Sequence, residues 1–159
     1  MLEWLVRLLN VSFDMRVVRM DWLGACIVPL YKGNGDKCDC TNSRGISLLS
    51  VVGKLYGRML IKRVKAGTEC AIGKEQCGFR QGRGCMDQVF AVWLVCEKYL
   101  ANRKDVFSAF MDLEKAYDTV DGYGMRQMQR LYGVGGKLLK AVQSFYVDSI
   151  GCVSGWEIM

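Results

Sequence analysis

An α+β fold is predicted by three features of the sequence. Two short strand-forming runs, Cys26 to Tyr31 and Arg44 to Leu49, flank a polar loop that opens on glycines. Apolar residues recur at three- and four-residue steps in several later segments, the period of a helix packed on one face. Val106 to Met111 is almost wholly apolar, the pattern of a strand covered on both faces of a sheet.

The elements follow in chain order. MLEWLVRLLNVSF is amphipathic and predicts a helix over about residues 2–11. Its Glu3 and Arg7 interrupt the apolar middle that a secretion signal needs. Irregular chain is expected through Trp22. Gly33-Asn34-Gly35-Asp36 then marks a turn between the two strand-forming runs, giving a hairpin-like unit. Pro29 favours an edge or a bulge over a central strand, because it has no N–H for a ladder. From Ser50, which suits an N-cap, the period changes. Val52, Leu55, Tyr56, Met59, Leu60 and Val64 fall on one helix face and send Lys54, Arg58, Lys62 and Lys65 largely to the other. After the glycine-punctuated GFRQGRGC, a core helix is expected over Asp87 to Ala101, with an apolar stripe of Val89, Trp93, Cys96 and Leu100 widened by Phe90 and Leu94.

Asn102 to Asp105 is a polar break before the Val106 to Met111 strand, which Asp112 ends. Leu113 to Asp121 reads as helix or loop, and Tyr123 to Tyr132 as a helix broken by GVGG. Lys137 to Val147 reads as a last helix with Leu138, Leu139, Val142, Phe145 and Tyr146 inward. GCVSGWEIM begins like a strand and stops. A single strong central strand does not make a balanced sheet, so the chain is expected to be cut off within its architecture.

Composition narrows the class. Hydrophobic residues make up 51% of the 159 and proline occurs once, which separates the chain from disordered and collagen-like sequences. No apolar run approaches the length of a membrane span, and no membrane partner is expected. Eight cysteines without paired CxxC knuckles read as free thiols of a reducing compartment, although the CxC of Cys38 and Cys40 leaves a metal contribution open. The expectation is an intracellular protein of nucleus or cytoplasm, not a secreted one. With no histidine, chemistry would fall to carboxylates, lysines and arginines. Arg44 to Arg83 holds nine bases against two acids, a charge suited either to phosphates or to a solvated helix face.

Asp112 sits where an apolar strand is expected to end, a position at which polar groups of a site collect and where a carboxylate can hold a hard cation. On these residues alone, a helix-capping aspartate followed by Glu114 in a favourable first turn is the commoner arrangement. In GFRQGRGC, three glycines permit close backbone approach and the Arg80 and Arg83 forks suit phosphates, but an ordinary turn is also open. Lys32 and Arg44 bracket the hairpin and could face one anion, or each be a solvated charge.

Four segments in this order resemble the reverse transcriptase domain of non-LTR, LINE-type retrotransposons. They are PLYKGNGD (29–36), NSRGISLLSVVGKLYGRML (42–60), EQCGFRQGRGCMDQVF (75–90) and AFMDLEKAYDTVD (109–121), and the likeness extends over about residues 22–150. The resemblance implies a partial right-hand polymerase fold: an N-terminal helix and lead-in over 1–21, a fingers-like region over 22–105, and the truncated start of a palm over 106–159. It implies that Asp112 is a catalytic, metal-binding aspartate and that Tyr117 lies under the sugar of the incoming nucleotide. Lys32 and Arg44 would stand near the triphosphate, with Arg80 and Arg83 on the nucleotide and template side. Asp118 belongs to the signature without being a metal ligand, and Gly45 stands where many relatives have proline. The implied cofactor is Mg2+, with Mn2+ as a substitute, and the implied partners are an RNA template, a DNA primer and a deoxynucleoside triphosphate. The family's later motifs are not found: no glutamine-glycine pair follows Asp112, and no paired aspartates occur in this sequence. The expectation is therefore a polymerase fragment, inactive alone in two-metal nucleotide addition. The alternatives are a non-catalytic nucleic-acid-binding remnant and a non-functional product of a decayed retroelement.

Overall fold

The computed structural model describes residues 2–117 and 119–153. They divide into two compact units, one running to Thr68 and resuming at Arg126, the other spanning Glu69–Met125. Asp118 and the last six residues of the sequence lie outside the described residues. Among the described residues, six α-helices and a small three-stranded sheet give the mixed architecture that the sequence predicts.

In the first unit, α1 (Leu2–Met15) continues four residues past its expected end. It closes where Arg16 turns left-handed (φ 58°), with the Val17 N–H reaching the Ser12 carbonyl at 3.3 Å and the Arg16 N–H the Phe13 carbonyl at 3.2 Å. That is the Schellman pattern, with arginine where glycine is usual. A single turn, α2 (Met20–Leu23), replaces the expected irregular chain and buries Trp22 and Leu23. Four residues are too few to show a period in sequence, so their burial had no local signal.

β1 (Ala25–Tyr31) pairs antiparallel with β2 (Ser43–Leu49) from Ala25 opposite Leu49 to Tyr31 opposite Ser43. The short β3 (Gly151–Val153) adds in parallel along Ala25 to Ile27, so the sheet order is β2-β1-β3. β1 is thus central; among the described residues β3 pairs with Ala25 to Ile27, short of Pro29.

Ser50 caps α3 (Val51–Thr68): its hydroxyl accepts the Gly53 N–H at 3.1 Å. Tyr56 and Leu60 face inward with Val52, Met59 and Val64, while Lys54, Arg58, Lys62 and Lys65 stand exposed. Leu55 belongs to the exposed side instead. The core gathers Val18, Trp22, Leu23, Tyr56, Leu60, Ala141 and Val142, the last two from α6 (Gly136–Ser144). Leu138, Leu139 and Phe145 turn inward as expected, but Tyr146, just past the helix, is exposed. A Cβ at Gly53 would stand 2.5 Å from the Trp22 carbonyl oxygen, so only glycine lets α3 approach α2 this closely. Replacing Ser50 by alanine is expected to lower stability by about 1 kcal/mol, read as a shift of the urea midpoint.

The second unit corrects two expectations. α4 (Cys85–Ala101) forms, but it is not a core helix: none of its residues is buried, and Val89, Trp93 and Leu100 are exposed. The run Val106 to Met111 forms no strand. Phe107, Phe110 and Met111 are 95%, 87% and 93% exposed, since no described strand pairs with them and no layer covers them. An apolar run becomes a strand only against neighbours. Cys77 is the one buried residue among those described in this unit. α5 (Gly122–Leu131) runs across the division between the units.

Candidate functional site

The hairpin end is fastened by its own polar groups. Past the β1–β2 register, the Lys32 N–H donates to the Asn42 carbonyl at 2.8 Å, and Gly33 and Gly35 take positive φ to turn the loop. The Tyr31 hydroxyl donates to the Gly35 carbonyl (2.6 Å), the Asn42 amide to the Asp36 carbonyl (2.9 Å), and Asp36 accepts the Cys38 N–H (2.9 Å). Asp39 accepts the Thr41 N–H at 2.9 Å. That backbone bond, followed by the Thr41 hydroxyl, holds the Asp39 carboxyl below its ordinary value; slight desolvation opposes the shift and Lys32 adds a weaker attraction. A depressed carboxylate supports the folded loop above its ordinary pKa of 3.8, and that support is lost as pH falls through the lower folded value.

These contacts separate the two hairpin cations. The Lys32 ammonium donates to the Thr41 carbonyl at 2.7 Å and closes the loop. Arg44, on β2 opposite Leu30, is exposed, and its side chain has no hydrogen-bond or ion-pair partner among the described residues. Its five donors are open to an anion.

In the second unit, GFRQGRGC is organised by Arg80. The guanidinium Nε and Nη2 donate to Glu69 Oε1 at 3.0 and 2.7 Å, and Nη1 donates to the Gly73 and Gln76 carbonyls at 2.8 and 3.3 Å. Its side chain is only 11% exposed. Arg83 is exposed, and its Nη1 donates to the Lys74 carbonyl at 3.2 Å. The Gln88 amide ties the loop to α4 through the Glu75 carbonyl and Cys77 Sγ, each at 2.8 Å. Asp87 accepts the Gly84 N–H at 3.0 Å and caps that helix. Arg80→Ala is expected to speed amide exchange across Gly73 to Gly84 about tenfold or more, with the hairpin unchanged, because several charge-assisted bonds vanish together. Arg80→Lys is not expected to restore the slow exchange, since an ammonium lacks the fork.

Phe79 holds a left-handed backbone (φ 60°), unusual for a bulky residue, and its ring meets Tyr117 edge-on at 6.3 Å between centroids. Tyr117 remains 77% exposed. Asp112 lies on irregular exposed chain, without a hydrogen bond or ion pair among the described residues. No group of three or more His, Cys, Asp or Glu among them is arranged to hold a metal ion. Asp112 is a single carboxylate, so the described residues do not by themselves constitute a metal centre. Lys32 and Arg44 belong to the first unit; Arg80, Arg83, Asp112 and Tyr117 belong to the second.

Residues 32–150 match the family model described as reverse transcriptase (RNA-dependent DNA polymerase). The chain belongs to the reverse transcriptase family. Among its relatives is the RNA-directed DNA polymerase from mobile element jockey of Drosophila melanogaster, 28% identical over 121 residues, covering 75% of this chain and 13% of that protein. The putative 115 kDa protein in type-1 retrotransposable element R1DM of the same species is 30% identical over 150 residues, 91% of this chain and 14% of its own length. The jockey polymerase of Drosophila funebris is 31% identical over 98 residues, 60% of this chain and 11% of that protein. The chain therefore spans about an eighth of the curated relatives it matches. All six residues singled out from the sequence lie inside the reverse transcriptase match. No described helix is long and apolar enough to cross a membrane.

Sequence reasoning missed Glu69 and Gln88. Each works through a partner eleven or more residues away, and no local pattern marks such a pairing.

Proposed function

We propose that this chain is a fragment of an RNA-directed DNA polymerase, carrying a fingers-like region over 22–105 and the start of a palm over 106–159. The whole polymerase adds deoxynucleotides to a primer 3′ end by two-metal phosphoryl transfer, copying an RNA template. Asp112 contributes one carboxylate to Mg2+, Tyr117 underlies the nucleotide sugar, and Arg44 and Arg83 face phosphates with donors in hand. Lys32 and Arg80 shape the loops that carry those groups and touch the nucleotide only if their present bonds exchange. The observation that carries the reading is the family match over residues 32–150, which includes every one of these positions in order. By itself the 159-residue chain is proposed to be inactive, with Asp112 alone unable to cage two ions.

The test is a chimera in which residues 32–150 replace the matching segment of the jockey polymerase. Template-dependent primer extension by the chimera supports the reading; a folded, RNA-binding chimera that extends nothing argues against it. Extension by the isolated chain, lost in Asp112→Ala, overturns the proposed inactivity.

A second reading, the non-functional product of a decayed element, is favoured by the exposed Phe107, Phe110 and Met111. A chain that elutes as a stable monomer in size-exclusion chromatography counts against it.

A further inference from the structure

Helix α3 sorts its charges. It carries five bases and no acid along Val51–Thr68. Arg63 is used in packing: its guanidinium lies 4.0 Å over the Phe13 ring and reaches Asn10 Oδ1 at 3.5 Å. Lys54, Arg58 and Lys62 instead stand exposed at successive four-residue steps, and none of their side chains has an ion pair or hydrogen bond among the described residues. Such a ridge spans about 12 Å, with about 6 Å between charges. The opposite side of the helix is fixed in the core by Tyr56 and Leu60, so the ridge is presented on a rigid support.

The arrangement works against the helix. Like charges four apart repel, and Lys54 lies in a first turn that holds no acid, where the helix dipole disfavours a cation. A polyanion lying along the ridge relieves both effects. We infer that Lys54, Arg58 and Lys62 form a docking ridge for the phosphodiester backbone of a nucleic-acid strand, binding through phosphates and without base selectivity. The inference rests on the polymerase reading only for the nature of the polyanion; the ridge itself follows from the charges on α3. It adds three positioning residues to the six that the motifs supplied.

The experiment is fluorescence anisotropy of a labelled 20-nucleotide RNA with the full chain, titrated across salt. Three proteins are compared: wild type, Lys54→Gln/Arg58→Gln/Lys62→Gln, and a charge-matched control, Lys98→Gln/Lys104→Gln/Lys140→Gln. Glutamine keeps the helix and removes the repulsion, and circular dichroism confirms the fold. The ridge variant is expected to bind more than about tenfold more weakly near 0.1 M salt, with a log–log salt slope reduced by about 2, as loss of three phosphate contacts on a single strand requires. The control should keep wild-type affinity within about threefold, since its charges lie off the ridge. Equal losses in both variants reduce the ridge to net charge and overturn it, as does an unchanged ridge variant. Competition by polyglutamate as effective as by RNA also overturns it, in favour of an acidic protein partner. Wild-type chain that fails to bind RNA at low salt removes the ridge as an RNA interface, while the primer-extension chimera still decides the polymerase reading separately.

Discussion

Tyr56→Ala is expected to destabilise the first unit by about 3–5 kcal/mol, as large as any single core truncation. Tyr56 has no exposed surface and is the largest side chain so enclosed. Its ring lies 5.7 Å from Trp22, tilted at 51°, and 6.2 Å from Phe145, nearly parallel at 21°. One side chain thus joins α2, α3 and the end of α6, and removing it leaves a void that three helices would have to collapse to fill. Against a typical total of about 5–15 kcal/mol, that loss unfolds much of the population. Urea unfolding followed by fluorescence of the buried Trp22 measures it; a loss below about 1 kcal/mol would show that the core repacks freely.

The companion change, Tyr56→Phe, runs the other way. The phenol oxygen is buried with no hydrogen-bond partner among the described residues, so deleting it is expected to raise stability by about 1 kcal/mol. Burial also pushes the Tyr56 hydroxyl above its ordinary pKa of 10.0, with Arg63 opposing weakly. A raised folded pKa means that the stability is fully present below pH 10.0 and is lost as pH rises towards the folded value, because the unfolded chain ionises first. Phenylalanine removes that part of the alkaline loss.

Helix α3 was legible because its burial is one-sided: the 3.6-residue period of Val52, Tyr56, Met59, Leu60 and Val64 records the face that packs. The β1–β2 hairpin was legible for a similar reason, two strand-forming runs around a glycine turn. Val106 to Met111 shows where this inference stops. Apolar composition reports what a segment would gain by burial, and burial needs partners that composition does not supply. α4 makes the same point, helical as read but with none of its residues buried. At the candidate site, residue type marked Arg80 and Arg83 alike as phosphate ligands. The structure distinguishes them through Glu69, whose carboxylate occupies the Arg80 fork. Lys32 and Arg44 part in the same way, through one backbone carbonyl that no local pattern marks.

In the jockey chimera, Asp112→Ala is expected to lower primer extension by more than about 100-fold, the upper range seen even for outer-shell partners of metal sites. The structure makes the change a clean one. Asp112 is exposed, bonds to no described residue and supports no element, so its removal should leave stability within about 0.5 kcal/mol of the parent. Activity can then fall without a folding defect to explain it. Asp112→Asn, which keeps the shape and discards the charge, should fall nearly as far, because a hard cation needs the anionic oxygen. Glu114→Gln two residues on is the internal control and should stay within about threefold of the parent, since Glu114 is exposed and has no role in the proposed site. If Asp112→Asn retains most of the activity, the carboxylate holds no metal and is a solvated charge on exposed chain, since no helix starts at Asp112 for it to cap.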